Sequence, residues 1–140
     1  MKTIIAGSRW INDPKFLEEA IRDSGFNITT VISGAAKGVD TMGEDYARVN
    51  NIPRIVMPAN WSKYGRRAGR IRNEEMAEVA EAVIAIFDGT SSGTAHMIRE
   101  AESRGLPLFV KKLTNDEITE LKAKQERLRK ERNRGLVQDI

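Results

Sequence analysis

Apolar residues along this chain follow two alternating patterns. Short runs of β-branched and aliphatic residues occur at 2–6, 28–32, 53–57, 82–87 and 106–110, and stretches with helical apolar spacing lie between them. The run at 82–87, Ala-Val-Ile-Ala-Ile-Phe, is apolar without interruption, as burial on both faces of a strand requires. In the first intervening stretch Asp13-Pro14 reads as an N-cap followed by proline at the first helical position. Phe16, Leu17, Ala20 and Ile21 form one face, and Gly25 is placed to stop the helix. Val39, Met42, Tyr46 and Ala47 define a second helix ending near Asn50 and Asn51. Ile71, Met76, Ala77 and Ala80 predict a third over 69–81, preceded by an irregular basic segment. Ala95, Ile98 and Ala101 mark a fourth, closed by Gly105.

Five strands alternating with four helices predict an α/β fold, a parallel sheet with helices on both faces, because parallel neighbours need right-handed crossovers. The expected strand order, 3-2-1-4-5, gathers the ends of strands 1, 2 and 4 where the winding reverses. Beyond Lys112 the pattern thins. Ile118, Leu121 and Leu128 give scant apolar cover to a charged helix expected over 115–134. The chain therefore divides into a body over 1–112 and a charged helical extension over 113–140.

Three strand ends run into polar, glycine-bearing loops that open into helices. They are Gly7-Ser8-Arg9, Ser33-Gly34-Ala35-Ala36-Lys37-Gly38-Val39-Asp40 and Asp88-Gly89-Thr90-Ser91-Ser92-Gly93-Thr94. A strand, a glycine loop and a helix start together present backbone N–H groups and a positive dipole end, which suit phosphate or carboxylate. The second loop is not a P-loop, since Gly34 and Gly38 enclose three residues and Val39-Asp40 follow; the Gly-x-Gly-x-x-Gly fingerprint is also absent. Standard ATP hydrolysis and standard NAD binding lose support. Ser33 and Gly34 offer close approach, and the N–H groups near Gly38 can point at a ligand, although a tight turn with Asp40 complementing the helix dipole accounts for the same residues. Thr94 fits an N-cap as well as an anion contact. Arg9 suits bidentate phosphate contact but equally a solvated surface.

Composition narrows the chemistry. At 140 residues and 40% hydrophobic content the chain supports one domain with a real core. It has no cysteine, which excludes disulfides, thiolate zinc sites and cysteine nucleophiles, and its one histidine, His96, cannot build a multi-histidine metal site. His96 is also weak as a general base, because no serine or carboxylate is tied to it by spacing. No metal and no cofactor is expected. No stretch is long and apolar enough to span a bilayer, and no leader pattern opens the chain, so a cytoplasmic protein without membrane partners is expected.

The net charge of +3 invites a nucleic-acid reading. Its placement argues otherwise. Residues 1–110 hold 14 basic and 14 acidic side chains, whereas 111–134 hold nine basic and five acidic. One basic cluster interrupts the neutral body: Lys63, Arg66, Arg67, Arg70 and Arg72, with no acid among them. It reads either as a solvated loop or as a cover closing over a ligand, with Arg72-Asn73 positioned by the helix start. Trp10 and Trp61 each sit beside a candidate loop, suited to stacking on a base or to packing.

Taken in order, Gly7-Ser8-Arg9, the Ser33 to Asp40 loop, Trp61 with Gly69-Arg70-Ile71-Arg72-Asn73-Glu74-Glu75-Met76, and Gly93-Thr94-Ala95-His96-Met97-Ile98 resemble the YspA/cpYpsA-related branch of the SLOG superfamily. The resemblance covers about residues 1–110 and implies a Rossmann-like three-layer α/β/α domain whose pocket lies over these loops. It also implies a nucleotide or nucleotide-derived ligand, held for sensing, delivery or sequestration. Gly34, Gly38, Gly89, Gly93 and Thr94 would supply backbone and hydroxyl contacts, Arg9 and Arg72 charge, and Asn73 and Asp40 contacts to ribose or base. Relatives include the LOG phosphoribohydrolases, which release a base from a nucleoside monophosphate, and DNA-binding DprA proteins; both activities stand as alternatives here. LOG enzymes carry Pro-Gly-Gly-x-Gly-Thr-x-x-Glu with a catalytic glutamate, whereas Asp88-Gly89 replaces the start of that motif and Met97 falls at the glutamate. Glu100, about one turn later, is the nearest substitute. Relatives commonly pair, so a homo-oligomer is expected.

Overall fold

The structure, a computed structural model, describes residues 1–138. Asp139 and Ile140, the end of the expected extension, lie outside the described residues. The elements are β1 (Lys2–Gly7), α1 (Pro14–Ser24), β2 (Thr30–Ser33), α2 (Val39–Val49), β3 (Arg54–Val56), α3 (Trp61–Tyr64), α4 (Ala68–Val79), β4 (Ala82–Phe87), α5 (Ser92–Ser103), β5 (Leu108–Lys112) and α6 (Asn115–Gln138). All strand pairs are parallel and the order is β3-β2-β1-β4-β5, as the alternation predicts. The fold is Rossmann-like. The central pair aligns Thr3 through Gly7 with Ala82 through Ile86, so these two strands end side by side at the switch in winding.

Strand alternation sorts the core into two layers. Ile5, Val31, Ile84 and Ile86 face Phe16, Leu17 and Ala20 of α1 and Val39, Met42 and Ala47 of α2. Their neighbours Ile4, Ile32 and Val83 face Met76 and Ala80, at the end of α4, and Met97 and Ala101 of α5. Helix α1 starts as its sequence predicts, with the Asp13 carboxylate accepting from the Lys15 amide at 3.1 Å, Pro14 next and Gly25 closing it at φ 68°.

Several local readings differ from the structure: β2 begins at Thr30 rather than 28 and α6 runs to Gln138 rather than 134, and three further differences have a visible cause. The segment after β3 is not irregular: it forms the short helix α3 and a 3-10 turn over Gly65–Arg67, and buried Ala68 opens α4. Strand β5 begins at Leu108 rather than 106, because the Leu106 amide is used to close α5 on the Ala101 carbonyl. At the start of α5 the cap is Ser91, not Thr94; the Ser91 hydroxyl accepts from the Thr94 amide at 3.4 Å.

The charged helix is docked over its first half. Thr114 and Glu117 form a reciprocal capping box at 2.9 and 3.1 Å. Leu113 and Leu121 are buried in the α1–α2 layer with Ile118 packed against it, whereas Leu128 is 45% exposed. Gln125 then fastens the helix to the loop after β1, its amide donating to the Trp10 carbonyl and the Asn12 side chain, both at 2.8 Å.

Candidate functional site

At the carboxyl ends of the strands lies a cavity of about 620 Å³. The loop after β1 lines it with Gly7, Ser8, Arg9 and Trp10, and the loop after β2 with Ala36 and Asp40. Helices α3 and α4 and the turn between them contribute Trp61, Arg66, Arg70, Arg72 and Asn73; Asp88 and the start of α5 add Ser91, Ser92, Gly93, Thr94, His96 and Met97. Three loops, distant in sequence, thus meet around one space with Arg66, Arg70 and Arg72 of the basic cluster, whereas Lys63 and Arg67 do not line it.

The sequence candidates divide into those facing the cavity and those building it. Gly7, Ser8, Arg9, Asp40, Arg72, Asn73, Asp88, Gly93 and Thr94 line the space; Ser33, Gly34, Lys37, Gly38, Gly89 and Thr90 do not. Ser33 is fully buried, its hydroxyl donating to Glu44 at 2.8 Å and accepting from the Ala35 amide at 3.1 Å. The Gly34 carbonyl accepts from the Arg72 guanidinium. Gly38, at φ 73°, lies so close to the Ser8 and Arg9 carbonyls that no Cβ fits, and a Cβ at Gly7 would strike the Ile86 carbonyl and Val39. These two glycines let the first loop stack on the second. Gly89 turns its loop at φ 92° beside Lys112, whereas Gly93 meets no atom that a Cβ would touch.

Both acids in the cavity wall have protein partners. The Asp88 carboxylate accepts from the Trp10 indole N–H at 2.7 Å and from the Thr90 and Ser91 amides at 2.8 and 2.9 Å. These bonds outweigh its partial burial and hold it well below the usual carboxylate range. They also occupy two of the amides that an anion would otherwise meet; the Ser92 and Gly93 amides, in the first turn of α5, have no intrahelical partner. Asp40 is buried and accepts from the Ala36 amide at 3.2 Å. Burial raises its pKa, opposed by that amide and by the nearby Arg72 charge. Burial in turn lowers the pKa of Arg72, which Asp40 opposes. Against these two acids stand Arg9, Arg66, Arg70 and Arg72. Only Arg9 and Arg72 are singled out by the sequence reading; the acid-free cluster over 63–72 was the signal for the other two.

A relay of side chains ties α4 to its neighbours. The Arg72 Nε donates to Asn73 Oδ1 at 3.1 Å, and Asn73 Nδ2 faces the Gly93 carbonyl at 3.2 Å and His96 Nδ1 at 3.1 Å. With both ends of the amide thus assigned, His96 Nδ1 accepts and its proton sits on Nε2, 3.6 Å from Glu100. Burial lowers the His96 pKa, and Glu100 opposes the shift. Glu74, His96 and Glu100 bring potential ligand atoms within 4.8 Å of one another. The protonated Nε2, however, points no lone pair at a cation there, and its 3.6 Å separation from Glu100 is beyond a hydrogen bond. Glu100 is not in the cavity wall; it pairs with Arg104 at 3.2 Å. Met97, at the LOG glutamate position, lies 1% exposed against the core.

The tryptophans have different roles. Trp10 is held by Asp88 and by Lys122, whose ammonium lies 5.2 Å from the ring centroid. Trp61 is 53% exposed at the cavity wall.

A parallel sheet wound both ways from its centre, with a cationic cavity over the switch point, defines a Rossmann-like protein with an anion-suited site. The family model for the YspA, cpYpsA-related SLOG family matches residues 1–64, which include the loops after β1 and β2. The Gene 61 protein of Mycobacterium phage D29 is 31% identical over 118 residues, covering 77% of this chain and 94% of the phage protein. The chain belongs to the YspA, cpYpsA-related SLOG family. No solved structure matches it. Among the described residues, no helix is long and apolar enough to cross a membrane.

Proposed function

We propose that the protein binds a nucleotide or nucleotide-derived ligand in the cavity at the strand ends, for sensing, delivery or sequestration rather than turnover. The observation that carries this reading is that Arg9, Arg66, Arg70 and Arg72 line the same cavity as the open first turn of α5. Guanidinium forks and unpaired helix amides both suit phosphate oxygens, and exposed Trp61 on the same wall suits a base. Family membership supports the same ligand class. Binding is favoured over glycosidic cleavage because Met97 supplies no carboxylate and Glu100 is directed to His96 and Arg104.

Titration calorimetry with AMP, ADP-ribose, NAD and cyclic nucleotides tests this reading. At least one ligand is expected to bind, with Arg70→Ala weakening it roughly tenfold, as loss of a charge-assisted phosphate contact implies. Absence of heat at millimolar ligand, or an Arg70→Ala protein that binds unchanged, contradicts it. Release of free base from a nucleoside monophosphate would instead establish the enzyme reading.

A further inference from the structure

A second cavity, of about 670 Å³, lies on the other side of Arg9 and Trp10, which line both spaces. Its remaining wall comes from Lys37 and Gly38 in the loop after β2, Asn12, and the α6 residues Lys122, Gln125, Glu126, Leu128, Arg129 and Arg132. With Arg9 included, five wall residues are cations and one is an acid. Glu126 is taken up by Arg129, which meets it through two nitrogens at 2.6 and 3.2 Å. Arg9, Lys37, Lys122 and Arg132 form no ion pair among the described residues.

Like charges gathered around a concavity repel one another, and their repulsion is relieved by an anion. The gathering is built rather than incidental. Gln125 fastens α6 to the Trp10 carbonyl and Asn12, and Lys122 lies on the Trp10 ring, so the helix is held over the loop that separates the cavities. Lys37, which does not line the first cavity, lines this second one. Arg9 is close enough to Arg72 for its charge to act on that guanidinium, which places it as the link between the two sets of cations.

We infer that α6 and the first two loops form a second phosphate subsite continuous with the first, so that the ligand is a nucleotide carrying a second phosphate-bearing unit. The inference rests on the nucleotide reading above and narrows it: a mononucleotide fills only the first space.

The test compares AMP with a 5′-phosphorylated diadenylate by calorimetry, on the full chain and on a variant carrying Arg129→Glu and Arg132→Glu. Both positions are exposed on α6 and outside the first cavity, and an unchanged melting temperature checks the fold. The dinucleotide is expected to bind roughly tenfold tighter than AMP, with the charge reversal removing that advantage and leaving AMP affinity unchanged. Equal affinity for the two ligands overturns the inference while the first reading stands. So does an advantage that survives the reversal, or a reversal that weakens AMP as much as the dinucleotide. Affinity that continues to climb with oligonucleotide length replaces a small-ligand subsite with a nucleic-acid surface. If neither ligand binds, the nucleotide reading itself fails.

Discussion

The Asp88 carboxylate accepts three hydrogen bonds, from one indole and two amides, and so fixes both the start of α5 and the position of Trp10. Asp88→Ala is expected to cost about 2–3 kcal/mol, since hydrogen bonds to a charged group exceed the neutral average; urea denaturation measures it. The pH dependence follows from the direction of its shift. The folded-state pKa lies below the ordinary value of 3.8, so the stabilisation is complete above that value and is lost as pH falls through it toward the folded pKa. Wild type is therefore expected to lose more stability than Asp88→Ala between about pH 5 and pH 2. In the sequence Asp88 was legible as a loop residue at a strand end and a candidate ligand contact, not as the partner of Trp10. Its partner Trp10 lies 78 residues away, and local pattern carries no information on whether a carboxylate faces a ligand or its own loop. Ser33 hid its role in the same way, since its bond to Glu44 depends on how α2 returns over β2.

At the scale of elements, the three glycine loops separate by what surrounds each glycine. Gly38→Ala places a Cβ against the Arg9 carbonyl at a φ of 73° that side chains rarely adopt. A loss of about 2 kcal/mol or more is expected. Gly93→Ala meets no neighbour and lies in the first turn of α5, where alanine is the better helix former. Its melting temperature is expected to hold or rise, while nucleotide affinity is expected to fall if ligand approaches Gly93, which lines the cavity. A melting and calorimetry comparison of the two variants distinguishes loop packing from ligand approach. The elements themselves were largely legible: an uninterrupted apolar run at 82–87 and helix-spaced residues between strands lead directly to the observed order. The short helix over Trp61–Tyr64 was not, because four residues carry too little periodicity to register.

At the scale of the molecule, the division between body and extension does not coincide with a break in the core. Leu121 of α6 is 5% exposed within the layer that α1 and α2 build on the sheet. Leu121→Ala is expected to destabilise the whole chain by about 2–4 kcal/mol, with α6 and the sheet melting in one transition followed by circular dichroism and tryptophan emission. Separate transitions would mark α6 as an independent unit. The sequence foretold the charged helix but not its hold on Trp10, because Gln125 gives no sign of its partners until the chain is folded. The two tryptophans also give the molecule a pair of natural optical probes. Trp10, with its N–H bound to Asp88 and Lys122 on its ring, reports on the loop that borders both cavities, while Trp61, half open to water, reports on the outer wall of the first. Collisional quenching by iodide is expected to fall more heavily on Trp61 than on Trp10, so the two walls can be told apart in one unlabelled sample.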